Sequence, residues 1–250
     1  MSKNSNIIAL TMGDPSGVGT EIAIRAKIKK IKKPNFFIIH DIDFVKKILK
    51  KMKSKLKVRE ISSPSEVKKL PKNYLAVLPI KISKNTQLGK KNLSNIKSIL
   101  ASIDLAVKLA KNGEVAAIVT NPINKDVIGK KVKNFKGHTE YLAKKDRTND
   151  QLMMMMNKNL KTIPLTTHIA INKVSNKINK KNIIKAIINA NVSLRKDFKI
   201  KKPRIAVTAL NPHAGDGGLI GDDEKLKILP AISYCKKKKI SVEGPLPADS

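Results

Sequence analysis

The hydrophobic residues of this chain fall into short runs that alternate with longer amphipathic stretches. The short runs predict strands: "NIIALTM", "NFFIIHD", "YLAVLPI", "VAAIVT", "QLMMMMN", "TIPLTTH" and "RIAVTAL". The longer stretches predict helices, most clearly in "NLSNIKSILASIDLAVKLAKNG" (with Gly113 as a C-terminal cap), "KNIIKAIINANVSLRKDF" and "DDEKLKILPAISYCKKKK". Strands that alternate with helices predict an α/β fold with a largely parallel sheet.

Neither the methionine run nor the single cysteine points to special chemistry. Met153 to Met156 form an apolar run, which predicts a buried strand and not a metal or cofactor site. Cys235 lies near the end of a predicted helix, and we interpret it as structural. A lone cysteine fits a reducing, cytoplasmic location. No apolar run reaches the roughly 18 residues of a membrane span, and the N-terminus does not resemble a secretory signal.

The charge balance calls for an explanation, because the net charge is +33. Nucleic-acid binding is the first hypothesis, but only five of the 52 basic residues are arginine, the usual reader of bases and phosphates. Aromatic residues, which stack on single strands, make up 3%. The lysines are also spread over nearly every predicted helix. We therefore expect no nucleic-acid partner, whereas a positive field suits anionic substrates.

Four of the predicted strands end in polar or turn-forming motifs. These are "GDPSGVGTE" (13–21), "NPINK" (121–125), the "TTH" that ends at His168, and "NPHAGDGG" (211–218). If the strands run parallel in one sheet, the motifs rim one crevice, where α/β proteins bind ligands. Glycines at 215, 217 and 218 would then let the backbone approach a ligand closely.

Histidines at two of these strand ends are candidate metal ligands. His168 and His213 would present neutral imidazoles, which suit a divalent metal. Structural, hydrogen-bonded histidines are the alternative, and a spacing of 45 residues matches no local zinc pattern. A third ligand would have to come from elsewhere. His40 also ends a strand, and we interpret it as structural.

The segment "GHTEYLA" (137–143) predicts the start of a helix near His138 or Thr139. Unpaired N–H groups at a helix start suit an anion. A simple helix cap without a ligand is the alternative, and the pattern does not separate the two.

Six segments in this order resemble the 4-hydroxythreonine-4-phosphate dehydrogenase family of vitamin B6 biosynthesis. They are "TMGDPSGVGTEIAIRA", "TNPINKDVI", "GHTEYLA", "TTHIAI", "LNPHAGDGGLIG" and "GPLPADS", and they span essentially the whole chain. The resemblance implies an isocitrate/isopropylmalate dehydrogenase-like fold of two α/β domains, which we place at residues 1–130 and 131–250. It also implies a homodimer whose active site lies at the subunit interface.

The resemblance further implies a reaction and its cofactors. The family oxidises the C3 hydroxyl of the phosphorylated hydroxy-amino acid 4-phosphooxy-L-threonine with NAD, and the resulting 3-oxo acid loses CO2 to give 3-amino-2-oxopropyl phosphate. A divalent cation (Zn, Mg or Co) assists. By motif, His168 and His213 correspond to metal ligands, and His138 and Thr139 to substrate-binding residues. Asp249 and Lys125 correspond to catalytic positions; no residue is assigned to NAD.

The chain stops at Ser250, whereas the family continues into a "YHDQG"-like motif that carries the third metal histidine and into the phosphate-binding residues. Either this chain is a fragment of a longer protein or the gene product is truncated. In both cases we expect residues 1–250 alone, without the C-terminal part of the fold, to be inactive. Two alternatives stay open. One is a related dehydrogenase of D-threonate or D-erythronate 4-phosphate, and the other is an inactive, truncated basic binding protein.

Overall fold

The structure, a computed structural model, describes residues 6–29, 35–133 and 135–247. The chain forms two compact units, which we call unit 1 (residues 1–149) and unit 2 (residues 150–250). The domain boundary near residue 130 stays a prediction. Among the described residues, no helix combines the length and the apolar character that a membrane crossing requires.

The regular elements alternate along the chain as the sequence predicts. The strands are β1 (Ile7–Leu10), β2 (Asn35–His40), β3 (Lys57–Glu60), β4 (Tyr74–Pro79), β5 (Ala117–Val119), β6 (Met155–Met156), β7 (Lys161–Thr162), β8 (Ile205–Thr208) and β9 (Val242–Leu246). The α-helices are α1 (Gly19–Ile28), α2 (Ile42–Lys51), α3 (Ile96–Lys111), α4 (Lys125–Gly129), α5 (His138–Asp146), α6 (Val174–Lys177), α7 (Lys180–Lys196) and α8 (Leu229–Lys237).

In the described part of unit 1, five strands form one sheet in the order β3-β4-β2-β1-β5, and all neighbours are parallel. Successive side chains of a strand point to opposite faces. Ile7 and Ala9 therefore pack on one face with α3, while Leu10 packs on the other with α1 and α2. Burial on both faces explains why these strands are apolar throughout. The α/β class and the largely parallel sheet are confirmed.

Helix ends in unit 1 follow the predicted chemistry. α3 ends at Lys111, and Gly113 adopts a left-handed φ of 71° two residues later, as the predicted cap requires. α2 begins after Asp41, whose carboxylate accepts hydrogen bonds from the N–H groups of Asp43 and Phe44.

Unit 2 is built differently. Its strands β8 and β9 pair in parallel, and α7 and α8 pack on them around Ile187, Ile232 and Val242. Cys235 is fully buried in this cluster, and burial raises the pKa of its thiol. A single turn of π-helix (Glu224–Ile228) leads into α8.

Two strand predictions in unit 2 are wrong. Within "QLMMMMN", only Met155–Met156 is a strand, paired antiparallel with β7, and the side chains of Met155 and Met156 are 55% and 58% exposed. This run is buried only in part: Leu152 and Met154 are half-buried, whereas Met153, Met155 and Met156 are exposed. The segment "TIPLTTH" leaves the strand conformation after Thr162; Pro164 lacks a ladder donor, and His168 has a positive φ of 56°.

Candidate functional site

Two of the four predicted motifs meet at the carboxyl edge of the sheet of unit 1, because β1 and β5 are parallel neighbours. The N–H of Asp14 donates to the Pro122 carbonyl oxygen at 2.9 Å. The buried Asn121 side chain donates through Nδ2 to the Thr11 carbonyl oxygen at 3.1 Å. Gly13, in the loop after β1, adopts a left-handed φ of 70° next to these contacts. Internal hydrogen bonds thus lock the two loops together.

The other two motifs do not belong to this sheet. β8, which precedes "NPHAGDGG", pairs with β9 in unit 2, and "TTH" begins four residues after the two-residue strand β7. That all four motifs rim one crevice stays a prediction. Apolar strands with polar ends recur in any α/β chain, and the pattern does not say which strands share a sheet.

His40 is structural, as predicted. Its side chain is buried, Nδ1 accepts a hydrogen bond from the Asp41 N–H at 2.8 Å, and Nε2 lies 3.0 Å from Oγ1 of Thr20. Since Nδ1 accepts, the proton of the neutral ring resides on Nε2 and is donated to Thr20. Burial lowers the pKa of His40 to about 4, against the opposing influence of Asp41. Both ring nitrogens are occupied, which leaves none for a ligand.

Three predicted site residues of unit 1 come together where α4 and α5 begin. Asn124 caps α4 by accepting a hydrogen bond from the Val127 N–H, so Lys125 is the first residue of that helix. The Lys125 ammonium lies beside Gly137, since a Cβ placed on that glycine would be 3.6 Å from Nζ. His138 follows as the first residue of α5. The motifs "NPINK" and "GHTE" therefore form one cluster, although 12 residues separate Lys125 from Gly137.

The imidazole of His138 has the properties of a binding group. Its Nε2 is buried and makes no hydrogen bond to the described residues. Burial, and next the positive charge of Lys125, hold the pKa of His138 below its ordinary value. A buried polar atom without a partner carries a desolvation cost that a bound ligand would relieve.

Thr139 completes this cluster. It is exposed in the first turn of α5, whose N-cap is Gly137 and makes no side-chain capping bond. The N–H groups of this first turn therefore lack a cap from the chain, which suits an anion or a hydroxyl.

His213 of unit 2 lies in an exposed loop with an unusual backbone. Its side chain is 68% exposed, and Nδ1 is 3.8 Å from Oδ2 of Asp216. The five residues that follow, from Ala214 to Gly218, all have a positive φ. At the two non-glycine residues, Ala214 and Asp216, this conformation costs free energy and needs support from the surroundings.

Glu224 supplies that support, and the sequence analysis missed it. This carboxylate is buried, and Oε1 accepts a hydrogen bond from the Leu210 N–H at 2.9 Å. Oε2 lies against Gly215, where an added Cβ would approach it to 2.8 Å. This internal contact requires glycine at position 215. The predicted close approach of a ligand to Gly215, Gly217 and Gly218 stays a prediction. In the sequence, Glu224 is one of three consecutive acids, and nothing in "DDEK" distinguishes it from its neighbours.

His168 is exposed and adopts a left-handed φ of 56°. It forms no hydrogen bond or ion pair with any described residue. Two such imidazoles suit a divalent metal in kind, but the described residues contain no group of three or more histidine, cysteine, aspartate or glutamate side chains that could hold one. His168 and His213 therefore fit the proposed metal in donor type and fall short in number. Asp249 lies outside the described residues.

Comparison with known proteins gives a consistent result. The family described as "Pyridoxal phosphate biosynthetic protein PdxA" matches residues 32–250. A 4-hydroxythreonine-4-phosphate dehydrogenase of Wigglesworthia glossinidia brevipalpis is 36% identical over all of this chain and 75% of its own length. The crystal structure of a 4-hydroxythreonine-4-phosphate dehydrogenase from Klebsiella pneumoniae superposes with a TM-score of 0.91 at 32% identity, over 98% of this chain and 76% of the other.

A relative with another name matches comparably. A Clostridium botulinum protein named as a proposed D-threonate 4-phosphate dehydrogenase is 32% identical over 100% of this chain and 75% of its own length. The chain thus spans about three quarters of the relatives that it matches. The predicted membership of an oxidoreductase family is confirmed: this chain belongs to the pyridoxal phosphate biosynthetic protein PdxA family.

Proposed function

We propose that the chain takes part in pyridoxal 5'-phosphate biosynthesis by oxidising the C3 hydroxyl of 4-phosphooxy-L-threonine with NAD. The 3-oxo acid then loses CO2 to give 3-amino-2-oxopropyl phosphate. The names of the matched relatives support this reaction. One observation carries it: a buried, unpartnered Nε2 of His138 lies beside the Lys125 charge at the first turn of α5. The isocitrate dehydrogenase-like domain arrangement and the cytoplasmic location belong to the same proposal.

The residues of unit 1 would bind and orient the substrate. The Lys125 ammonium would neutralise an anionic group, and the uncapped N–H groups of α5 would receive anionic or hydroxyl oxygens. Because its pKa is lowered, His138 would be neutral at physiological pH. Its Nε2 would then make one hydrogen bond to the substrate. Thr139 would add a hydroxyl from the same turn.

Bound nicotinamide would supply the hydride acceptor, and a divalent cation would supply Lewis acidity toward the oxygen at C3. His168 and His213 would hold that cation together with at least one ligand from outside the described residues. A direct test is calorimetric titration of zinc, cobalt and magnesium into wild type, His213→Ala and His138→Ala. We expect weaker binding in His213→Ala and unchanged binding in His138→Ala. Metal loss in the His138 variant would contradict the assignment.

The substrate role of unit 1 has a matched control, since Lys125 and Lys130 are both exposed at the two ends of α4. In calorimetric titrations with 4-phosphooxy-L-threonine, Lys125→Gln should weaken binding, and Lys130→Gln should leave it unchanged although it removes the same charge. His138→Ala should weaken this binding by about tenfold, the weight of one hydrogen bond. Equal affinities of the two lysine variants would refute the role of Lys125.

A second candidate substrate is D-threonate 4-phosphate, and the Clostridium botulinum relative supports it. It has a hydroxyl where 4-phosphooxy-L-threonine has an amino group. Side-by-side affinities of the chain for the two compounds, measured by calorimetric titration, decide between them.

We also propose a homodimer, with an apolar surface of unit 2 in contact with a second copy. The segment between Met153 and Ile171 contains several exposed large apolar side chains: Met153, Met155, Met156, Leu160, Leu165, Ile169 and Ile171. Exposed apolar surface rich in methionine is typical of protein interfaces. Active sites at subunit interfaces, as the resemblance implies, need such a contact.

Sedimentation equilibrium tests the dimer. Leu160→Lys should shift the mass toward that of a monomer, because a buried unpaired charge opposes association. Leu226→Lys is the matched control, since Leu226 is similarly exposed (66% against 62%) on another element of unit 2. A wild-type monomer at micromolar concentration, or equal effects of both variants, would contradict the proposed surface.

A further inference from the structure

The helix that carries His138 is held to its neighbour by polar contacts more than by apolar ones. Of the nine residues of α5, all described, only Ala143 is buried. A helix with so small an apolar face gains little from hydrophobic packing, which supplies most of the stability of helices in proteins. The position of α5 therefore depends on specific polar contacts with α3.

Asp104 of α3 makes the central contact. Its Oδ1 accepts a hydrogen bond from the Tyr141 hydroxyl at 2.8 Å, and its Oδ2 pairs with the Lys145 ammonium at 2.6 Å. The Tyr141 ring also lies 5.9 Å from the ring of Phe135 and 5.3 Å from Nζ of Lys145. One carboxylate thus holds two successive turns of α5.

This contact lies one turn from the candidate site. Tyr141 follows His138 by three residues, which places the two side chains near one another along the helix surface. The Tyr141 N–H donates to the Gly137 carbonyl oxygen at 3.2 Å and so closes the first turn of α5. A shift of Tyr141 would carry His138 with it.

We propose that Asp104 is a positioning residue: by holding Tyr141 and Lys145 it fixes the first turn of α5, and with it His138, beside Lys125. The inference rests on the proposed function for its role in substrate binding. The placement of His138 can be measured without any substrate.

The same helix pair offers a matched control. Lys111 of α3 pairs with Asp146 of α5 at 3.2 Å, so a second ion pair joins the two helices at the far end of α5. If Asp104 only adds stability, the loss of either contact should have similar consequences. If Asp104 positions His138, only the contact near Tyr141 should affect the imidazole.

The experiment follows the titration of the His138 ring by NMR in the full 250-residue chain, with His138→Ala to assign the signal. The variants are Tyr141→Phe, Asp104→Asn and the control Asp146→Asn. Tyr141→Phe deletes a single oxygen and keeps the ring, so the fold survives even if Asp104 variants are unstable. Thermal unfolding of each variant measures the stability change separately.

We expect the pKa of His138 to rise toward its ordinary value in Tyr141→Phe. In this variant the His138 imidazole should move out of its buried position near Lys125. Asp104→Asn keeps an acceptor for Tyr141 and should show a smaller rise, and Asp146→Asn should show none. A His138 titration that is identical in wild type, Tyr141→Phe and Asp146→Asn would overturn the inference. So would equal shifts in Tyr141→Phe and Asp146→Asn.

Calorimetric titration with 4-phosphooxy-L-threonine then tests the link to the substrate. Tyr141→Phe should weaken substrate binding about tenfold, since a displaced His138 loses its hydrogen bond to the substrate. A shifted His138 pKa with unchanged substrate affinity would uphold Asp104 as the residue that places His138, and it would refute the substrate role proposed for His138. The two failures are therefore distinguishable.

Discussion

The ends of β2 in unit 1 and β8 in unit 2 both lead to a histidine, yet the chain uses the two in opposite ways. His40 is 1% exposed and has both ring nitrogens in contact with protein groups. His213 has a side chain that is 68% exposed, with Asp216 at 3.8 Å. A strand-end histidine becomes structural when neighbouring elements supply partners for both nitrogens, and it stays available for a ligand when they do not.

The loops at the strand ends of the two units differ in the same sense. In unit 1, Thr11, Asp14 and Asn121 close the strand ends with internal hydrogen bonds. In unit 2, the loop after β8 runs through left-handed residues and is held from one side by Glu224. Unit 1 should therefore respond to substitutions in its loops with large losses of stability, and unit 2 with small ones.

The largest effect expected from this contrast is that of Gly13→Ala. A Cβ at Gly13 would lie 2.6 Å from Cβ of Asn121 and 2.7 Å from the Pro122 carbonyl oxygen, at a φ of +70°. Overpacking and the left-handed backbone together should cost about 4 kcal/mol. Gly217→Ala in unit 2 has a similar φ of +68°, but no described atom beyond its chain neighbours lies within 4 Å of the new Cβ. It should cost about 1 kcal/mol. Urea unfolding that gave equal losses would break the contrast.

The second effect is acid destabilisation through His40. Its pKa is about 4 in the folded chain and 6.5 ordinarily, so between these values the unfolded chain binds a proton that the folded chain does not. The contribution of neutral His40 to the free energy of unfolding is fully present above pH 6.5 and falls as the pH decreases. By about pH 4 the loss amounts to about 3 kcal/mol. Unfolding free energies of wild type and His40→Gln should converge as the pH is lowered. Parallel pH profiles would contradict the buried neutral state.

The sequence predicted unit 1 better than unit 2, and the reason is physical. Strands such as β2 and β4 are buried on both faces, so hydrophobicity alone identifies them. The methionine run is also apolar, but Met153, Met155 and Met156 are exposed, so apolar character alone did not predict their burial. β3, with the sequence "KVRE", escaped prediction because it is an edge strand with mostly exposed residues.

The candidate site was predicted only in part, because some of its residues carry a local sequence signal and others do not. "NPINK" and "GHTE" carry recognisable local signals, and the structure brings Lys125 and His138 together. Asp104 carries no such signal, because one acid in an amphipathic helix gives no hint of a partner 37 residues away. Glu224 was missed because acids near a helix start are ordinarily exposed.

The third effect tests the support of the left-handed loop in unit 2. Glu224→Ala leaves the Leu210 N–H without its acceptor in a part-buried setting, which should cost about 2 kcal/mol. Glu243→Ala removes an exposed carboxylate from β9 of the same unit and should change stability by less than about 0.5 kcal/mol. Hydrogen exchange at Leu210 should accelerate only in the Glu224 variant. Unchanged exchange there would show that the loop does not depend on this carboxylate.

The smallest effect concerns helix caps, and it compares the two units directly. Asp41 of unit 1 accepts hydrogen bonds at 3.0 Å from both Asp43 and Phe44, and its second oxygen accepts one from the Ile82 N–H at 3.3 Å. Asn179 of unit 2 caps α7 with one bond, from the Asn182 N–H at 2.9 Å. Asp41→Ala should therefore cost about 2 kcal/mol and Asn179→Ala about 1 kcal/mol, the upper and middle range for caps. Asn179→Asp keeps the acceptor and should be nearly neutral. An Asn179→Ala loss that matched or exceeded that of Asp41→Ala in urea unfolding would mean that the helix starts of unit 1 are no more tightly held than those of unit 2.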